Sequence, residues 1–262
     1  MNADNHQNRL YLSLPPLALD QLEAVTQMLD RLTSRIDIAC VNLALGERGG
    51  SQSPLREQQQ LKALIADLQK KNIAVLADLT SSQYQANRKS FEKALENAQI
   101  TGCDGLHLSA DMGLFERARE VFGADAIIGV DCGNSRHAAM QIGELGADYV
   151  GFGAPHLDYP DEQHPVEHAN KDQDHDLNKA NPEHNGVPFE TMSRLDLTDW
   201  WQQLFEVPCV ALDVADRSQI EDLQKISADF IAIGPGLWSA LLSDDELLNW
   251  LATQYPIAET KA

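Results

Sequence analysis

Gly146-Ala147-Asp148-Tyr149-Val150-Gly151-Phe152-Gly153 follows a helix-like segment and opens a short apolar run. A glycine ends the helix, because it takes the left-handed cap at little cost. The aspartate turns the chain, and a strand buried on both faces follows. The same pattern recurs at Gly102-Cys103-Asp104-Gly105-Leu106-His107-Leu108, at Gly123-Ala124-Asp125-Ala126-Ile127-Ile128-Gly129, and at Ser227-Ala228-Asp229-Phe230-Ile231-Ala232-Ile233-Gly234. A repeated helix, turn and buried strand is how a parallel α/β fold is written.

Working outward, eight such units can be placed. The predicted strands are Arg9–Leu14, Ile36–Leu45, Ile73–Asp78, Gly105–Leu108, Ala126–Val130, Tyr149–Phe152, Cys209–Leu212 and Phe230–Ile233. Apolar residues at helical spacing (Leu19, Leu22, Val25, Met28, Leu29, then Leu61, Leu64, Ile65, Leu68) mark the intervening helices. One helix is expected over Ser82–Gln99, one over Leu197–Phe205 and a closing one over Asp244–Tyr255. The regularity breaks at Leu157–Glu190, 34 residues with nine acids, two lysines and four histidines. With no apolar periodicity, that stretch is expected to be a mobile acidic loop. The end of the chain, 256–262, is expected to fray.

Eight units in 262 residues close most naturally as a (βα)8 barrel, whose usual length is roughly 250 residues. An open doubly wound sheet would want a glycine-rich loop after the first strand, and Ser13-Leu14-Pro15-Pro16 is not one. The expectation is an α/β fold: a single TIM barrel, residues 1–262, with a long acidic insertion after strand 6.

The formal charge is −20, from 40 acidic and 20 basic residues. Nucleic acid binding rests on Lys and Arg neutralising phosphates, so it is excluded. An anionic membrane surface is excluded on the same ground, and no apolar run of about 18 residues offers a membrane span. The opening MNADNHQNRL is not a secretory signal. Cys40, Cys103, Cys132 and Cys209 lie far apart in or beside strands and read as free thiols of a reducing cytoplasm. The sequence leaves open whether the chain forms a homo-oligomer.

The segments Asp104-Gly105-Leu106-His107-Leu108, Ile127-Ile128-Gly129-Val130, Gly146 to Gly153 and Ala228 to Ile233 resemble thiamine phosphate synthase. The related thiazole tautomerase shares them. The resemblance spans about residues 9–240 apart from the acidic stretch. It implies that an aminopyrimidine-methyl pyrophosphate is joined to a thiazole phosphate, magnesium helping the pyrophosphate to leave. Carboxylates at strand ends would hold the hard cation through oxygen. Backbone amides of turns after strands 7 and 8 would hold the thiazole phosphate. On this chain the implied metal residues are Asp78 and Asp111, and the implied substrate-binding positions are Gly153, Gly234 and Gly236.

Several positions depart from the family pattern. Ala77 precedes Asp78 where the family has Asn, and Ser109-Ala110-Asp111-Met112 puts Met where the second carboxylate belongs, leaving Asp111 as the substitute. Val41-Asn42-Leu43-Ala44-Leu45 lacks the basic residues of strand 2, though Arg48 follows. Asp131 replaces a serine, His156-Leu157-Asp158-Tyr159 replaces a Thr-x-Thr-Lys segment, and Asp213-Val214 replaces Gly-Gly. Gly133 stands at the tautomerase histidine. Two readings follow: a divergent magnesium-dependent synthase acting on phosphorylated small molecules, or a barrel that has lost catalysis and binds a less charged ligand or a protein. In structural terms, Asp78 and Asp111 also suit turns and caps. His107 suits a satisfied interior histidine, and Gly234-Pro235-Gly236 a rigid turn in which Pro235 removes one donor.

Overall fold

The computed structural model of the chain describes residues 8–15, 22–44, 54–153, 192–226 and 228–257. Eight parallel strands close into a barrel in the order β1-β2-β3-β4-β5-β6-β7-β8. They are β1 (Arg9–Ser13), β2 (Ile38–Ala44), β3 (Ala74–Leu79), β4 (Gly105–Ser109), β5 (Ile127–Asp131), β6 (Tyr149–Phe152), β7 (Cys209–Val214) and β8 (Phe230–Ile233). The first and last pair directly, Leu12 standing opposite Ile233. The helices among the described residues are α1 (Leu22–Thr33), α2 (Pro54–Lys70), α3 (Ser82–Ala86), α4 (Arg88–Thr101), α5 (Met112–Phe122), α6 (Arg136–Glu144), α7 (Arg194–Leu204), α8 (Arg217–Lys225), α9 (Pro235–Ser243) and α10 (Asp245–Gln254). This is the expected (βα)8 TIM barrel. The acidic stretch 157–190, with residues 258–262 of the expected frayed end, lies outside the described residues.

The repeated glycine and aspartate work as a unit. Gly102 ends α4 in the left-handed conformation. Asp104 then accepts the Val75 amide of β3 on Oδ2 at 2.7 Å. Asp148 does the same for Ile128 of β5 at 2.7 Å, and Asp229 for Cys209 of β7 at 2.9 Å. Each of these three aspartates thus satisfies an amide at the start of the preceding strand, which an open strand start would leave unpaired.

Two helices differ from the sequence expectation. The helix expected over Ser82–Gln99 is broken at Asn87, whose Oδ1 accepts the amides of Lys89 and Ser90 and so caps α4. An Asn side chain competes with the helix for those amides. At the end of the chain Gly234-Pro235-Gly236 opens a further helix, α9, with Pro235 in its first turn, where the missing amide hydrogen costs nothing. The other helices start or stop a few residues from expectation, and α7 begins at Arg194 because Ser193 and Asp196 form a capping box.

Most apolar burial lies between strands and helices. One cluster runs from Leu10 to Tyr255 around β1–β3 and β7–β8, and a second around β3–β6 holds Phe91, Phe152 and Trp201. Trp201 is fully buried, stacks on Phe205 at 4.0 Å between centroids and donates Nε1 to Val207 O. Its neighbour Trp200 is half-buried and carries the Arg136 guanidinium 4.5 Å above its ring. A smaller third cluster, with Tyr11, Cys40, Leu76, Tyr149 and Leu212, fills the barrel itself. That interior supports the site.

Candidate active site

Inward positions alternate along each strand, so polar residues two apart rise toward the C-terminal end of the barrel. Tyr11 pairs with Cys40, and one step up Ser13 pairs with Asn42. His107 pairs with Gly129, and one step up Ser109 pairs with Asp131. The lower layer is a hydrogen-bonded chain: Tyr11 Oη meets Tyr149 Oη at 3.0 Å, and Tyr149 Oη meets His107 Nδ1 at 2.7 Å. The His107 ring stacks on Tyr149 at 5.8 Å. His107 is therefore a satisfied interior histidine, 2% exposed. Gly129 makes room for this layer, since a Cβ there would stand 1.9 Å from the Tyr149 ring. Burial first, and then the Tyr149 phenol for Tyr11 and Cys40 for Tyr149, push both tyrosines well above the usual phenol range. They stay protonated. The two phenols are uncharged donors and acceptors in the floor of the site.

Above it stand the strand ends. Asn42 of β2 is 1% exposed and donates Nδ2 to Asp78 Oδ2 at 2.9 Å. Asp78 Oδ1 accepts the Thr80 amide at 2.9 Å and the Thr80 hydroxyl at 2.6 Å. The carboxylate is thus fixed, with lone-pair capacity left on Oδ2. Asn42 Oδ1 is buried with no hydrogen-bond partner, and a buried acceptor left so costs about 1–3 kcal/mol. Asp131 is buried and accepts the Gly133 amide at 2.8 Å.

Asp111 takes a different place. It caps α5 through the Leu114 amide at 2.9 Å and lines an outer cleft of about 330 Å³ with Met112, Gly113, Ala138, Gln141 and Ile142. Among the described residues no three His, Cys, Asp or Glu side chains come together to hold a metal. Asp78 keeps lone-pair capacity on Oδ2, and a carboxylate of this kind suits a hard divalent cation, which commonly rests on one or two carboxylates plus substrate oxygens.

Gly153 and Gly234 flank one side chain. A Cβ at Gly153 would stand 3.2 Å from Asp213 Oδ2, and one at Gly234 3.5 Å from Asp213 Oδ1. Gly236 is exposed and faces Ala215. The β7–β8 register shifts between Ala211 and Val214, and Asp213 lies there at φ 54°. Bulges of this kind re-aim side chains next to active sites. Arg194 supports the bend, its Nη1 donating to the carbonyls of Leu212 (2.6 Å) and Asp213 (3.0 Å). Burial lowers the Arg194 pKa, and the charges of Asp213 and Asp216 oppose that shift. Among the described residues no Lys or Arg pairs with Asp78 or Asp111.

Sequence reading had singled out Asp78, Asp131, Asp213 and His107. It missed Asn42, Thr80, Tyr11 and Tyr149 as parts of the site. Their signal was present: a polar residue every second position in otherwise apolar strands, as in Cys40-Val41-Asn42 and His107-Leu108-Ser109.

Comparison with known proteins bears on this arrangement. Solved structures share the fold: a mutant tryptophan synthase α-subunit from Pyrococcus furiosus (TM-score 0.55, 14% identity, 94% of this chain and 95% of that one) and a protein from Aquifex aeolicus (TM-score 0.61, 10% identity, 96% and 94%). A family model described as thiamine monophosphate synthase matches residues 88–167. Thiamine-phosphate synthase of Rhodospirillum centenum is 32% identical over 88% of this chain and 89% of its own length. That of Hyphomonas neptunium is 31% identical over 89% and 87%. With relatives of this identity along most of both chains, the protein belongs to the thiamine-phosphate synthase family.

Proposed function

We propose that the barrel mouth performs the coupling for which the family is named. The ring nitrogen of a thiazole, phosphorylated in the family's reaction, attacks the methylene of an aminopyrimidine-methyl pyrophosphate, and pyrophosphate leaves. The observation that carries this reading is the Asn42–Asp78 pair: a fixed carboxylate beside a buried, open amide oxygen. It stands at the strand C-termini, where TIM-barrel enzymes act. The uncharged phenols of Tyr11 and Tyr149 in the floor suit an uncharged heteroaromatic ring. Asn42 Oδ1 would accept from a ring amino group or face a cation, and Asp78 would keep its second oxygen toward the mouth. Magnesium held by Asp78 and substrate oxygens would neutralise charge on the departing pyrophosphate. Asp111, committed to capping α5, would contribute less.

Four free thiols support residence in a reducing cytoplasm. No described helix is long and apolar enough to cross a membrane. The test is to supply both thiamine precursors with magnesium and follow product by its oxidised fluorescence, with an authentic synthase as control. Product that disappears with chelator is expected.

A second reading, a barrel that keeps the fold without the chemistry, is favoured by one observation. Neither Asp78 nor Asp111 forms an ion pair with a Lys or Arg among the described residues. Absence of product while the control turns over would select it.

A further inference from the structure

One arginine holds the backbone on one side of the mouth. Arg194 is the first residue of α7, fixed there by the Ser193–Asp196 capping box. Its Nη1 donates to the Leu212 and Asp213 carbonyls, and its Nη2 donates to Gln219 Oε1 at 2.5 Å. The same Gln219 oxygen accepts the Ala215 amide at 3.1 Å. Gln219 Nε2 donates at 3.0 Å to Asp216, the residue that caps α8. A single guanidinium thus ties the chain from Leu212 to Asp216, the end of β7 and the start of α8. A planar fork of donors can do this, and a lysine ammonium lacks that geometry. The tied segment is pressed against its neighbours. A Cβ at Gly153 would come within 2.9 Å of Leu212 Cβ, and one at Gly234 within 2.8 Å of Asp213 Cα. The Gly234 amide donates to the Val214 carbonyl at 3.0 Å. A shift of residues 212–214 would therefore be passed to the ends of β6 and β8. The Arg194 charge also acts on Asp213 and Asp216, so the acids of this turn have a cation close by.

We infer that Arg194 is a positioning residue for the thiazole phosphate: it keeps the β7 turn seated between the ends of β6 and β8. The inference rests on the coupling proposed above. The turns after β7 and β8 commonly hold a phosphate in TIM barrels. They do so through backbone amides, whose value lies in their fixed aim. Here Asp213 occupies the left-handed region at φ 54°, which a residue with a side chain enters at a cost. Arg194 supplies bonds that keep it there. Without them the turn would relax and its amides would lose their aim. Arg194 touches no substrate; its effect passes through the turn. The Asn42–Asp78 pair stands on β2 and β3, across the closed barrel from β7. That side of the mouth should not feel the change.

The experiment is steady-state kinetics of the full chain with magnesium, varying the thiazole phosphate and the aminopyrimidine-methyl pyrophosphate separately. Arg194→Met removes the fork and keeps an unbranched stem. KM for the thiazole phosphate is expected to rise about tenfold, since small misplacements of a binding group cost that much or more. KM for the aminopyrimidine-methyl pyrophosphate should stay where it is. Arg194→Lys keeps the charge without the fork and should show the same split. Circular dichroism checks both variants, and the lysine variant carries the test if the methionine one does not fold. A role in folding alone would lower kcat with the folded fraction and leave both KM values unmoved, and that result overturns the inference. So does a rise shared equally by the two substrates, or failure of both variants to fold. Wild-type KM values in Arg194→Lys overturn it too, because charge alone would then suffice. Each of these leaves the proposed coupling standing. Absence of product from the wild type strikes the coupling instead. Calorimetry with the thiazole phosphate alone then decides: weaker binding in Arg194→Lys upholds the inference, and equal binding, or none by the wild type, overturns it.

Discussion

The two ends of this barrel use the same residue type for different purposes. At the N-terminal end Asp104, Asp148 and Asp229 are committed to the scaffold: each accepts a strand amide. Side chains close the arrangement, Gln69 on Asp104, Arg119 on Asp148 and Gln202 on Asp229. At the C-terminal end Asp78, Asp131 and Asp213 border the mouth. Asp78 accepts the Asn42 amide, the Thr80 backbone amide and the Thr80 hydroxyl. The difference teaches that a carboxylate's role here is set by its place in the barrel and not by how many bonds it accepts. At the strand N-termini the bonds tie one strand to the next, and the acid is structure. At the strand C-termini, where TIM-barrel enzymes act, the same kind of bonding fixes a carboxylate at the mouth.

The largest effect should come from the floor between the two ends. Gly129→Ala would drive a Cβ to within 1.9 Å of the Tyr149 ring and should cost about 3 kcal/mol, toward the upper end for overpacking. Urea denaturation measures it, and a wild-type midpoint would mean that the ring is not held across Gly129. Tyr149→Phe removes the hydroxyl shared by Tyr11 and His107 and should cost about 2 kcal/mol. No loss of stability there would break the picture of a satisfied polar floor.

Asp148→Ala leaves the Ile128 amide without its acceptor and should cost about 1–2 kcal/mol. Asp104→Ala should cost a similar amount, and the double variant should be additive because the two lie on different turns. Strong coupling between them would contradict independent turns. The smallest effect is with pH. Burial pushes the Cys103 thiol up to about 11 and Cys209 up to about 12, from an ordinary value of 9.0. Above about pH 9 the unfolded chain releases protons that the folded chain keeps, so stability falls as pH rises from about 9 to 11. The denaturation midpoint should be lower at pH 10 than at pH 8; an equal or higher midpoint at pH 10 would count against buried thiols.

The base of the barrel was legible because its signals are local. A capping glycine, a turning aspartate and an apolar run follow one another within eight residues of Gly146–Gly153. What those aspartates bond to was not legible, since Asp148 and Ile128 are 20 residues apart. Local competition explains the helix misread as continuous through Asn87: the helical pattern persists on both sides, while the side chain takes two amides. The mouth was legible as residue types and strand ends, and Asp78 was named there through the family resemblance. Its arrangement depends on strand register. The β7 bulge that turns Asp213 between Gly153 and Gly234 leaves no mark in the sequence beyond an aspartate's tolerance of the left-handed region. Asp111 shows the reverse, a residue one position from the family's carboxylate whose side chain serves the helix start.

The most direct test of the account is to measure coupling and stability together in Asp78→Asn. The account predicts a wild-type chain that forms product with magnesium and a variant that has lost at least about a hundredfold in kcat/KM while its denaturation midpoint barely moves. A variant that keeps full activity would contradict the assignment of the open carboxylate at the mouth to the chemistry, and so would one that unfolds as readily as a base variant such as Asp148→Ala.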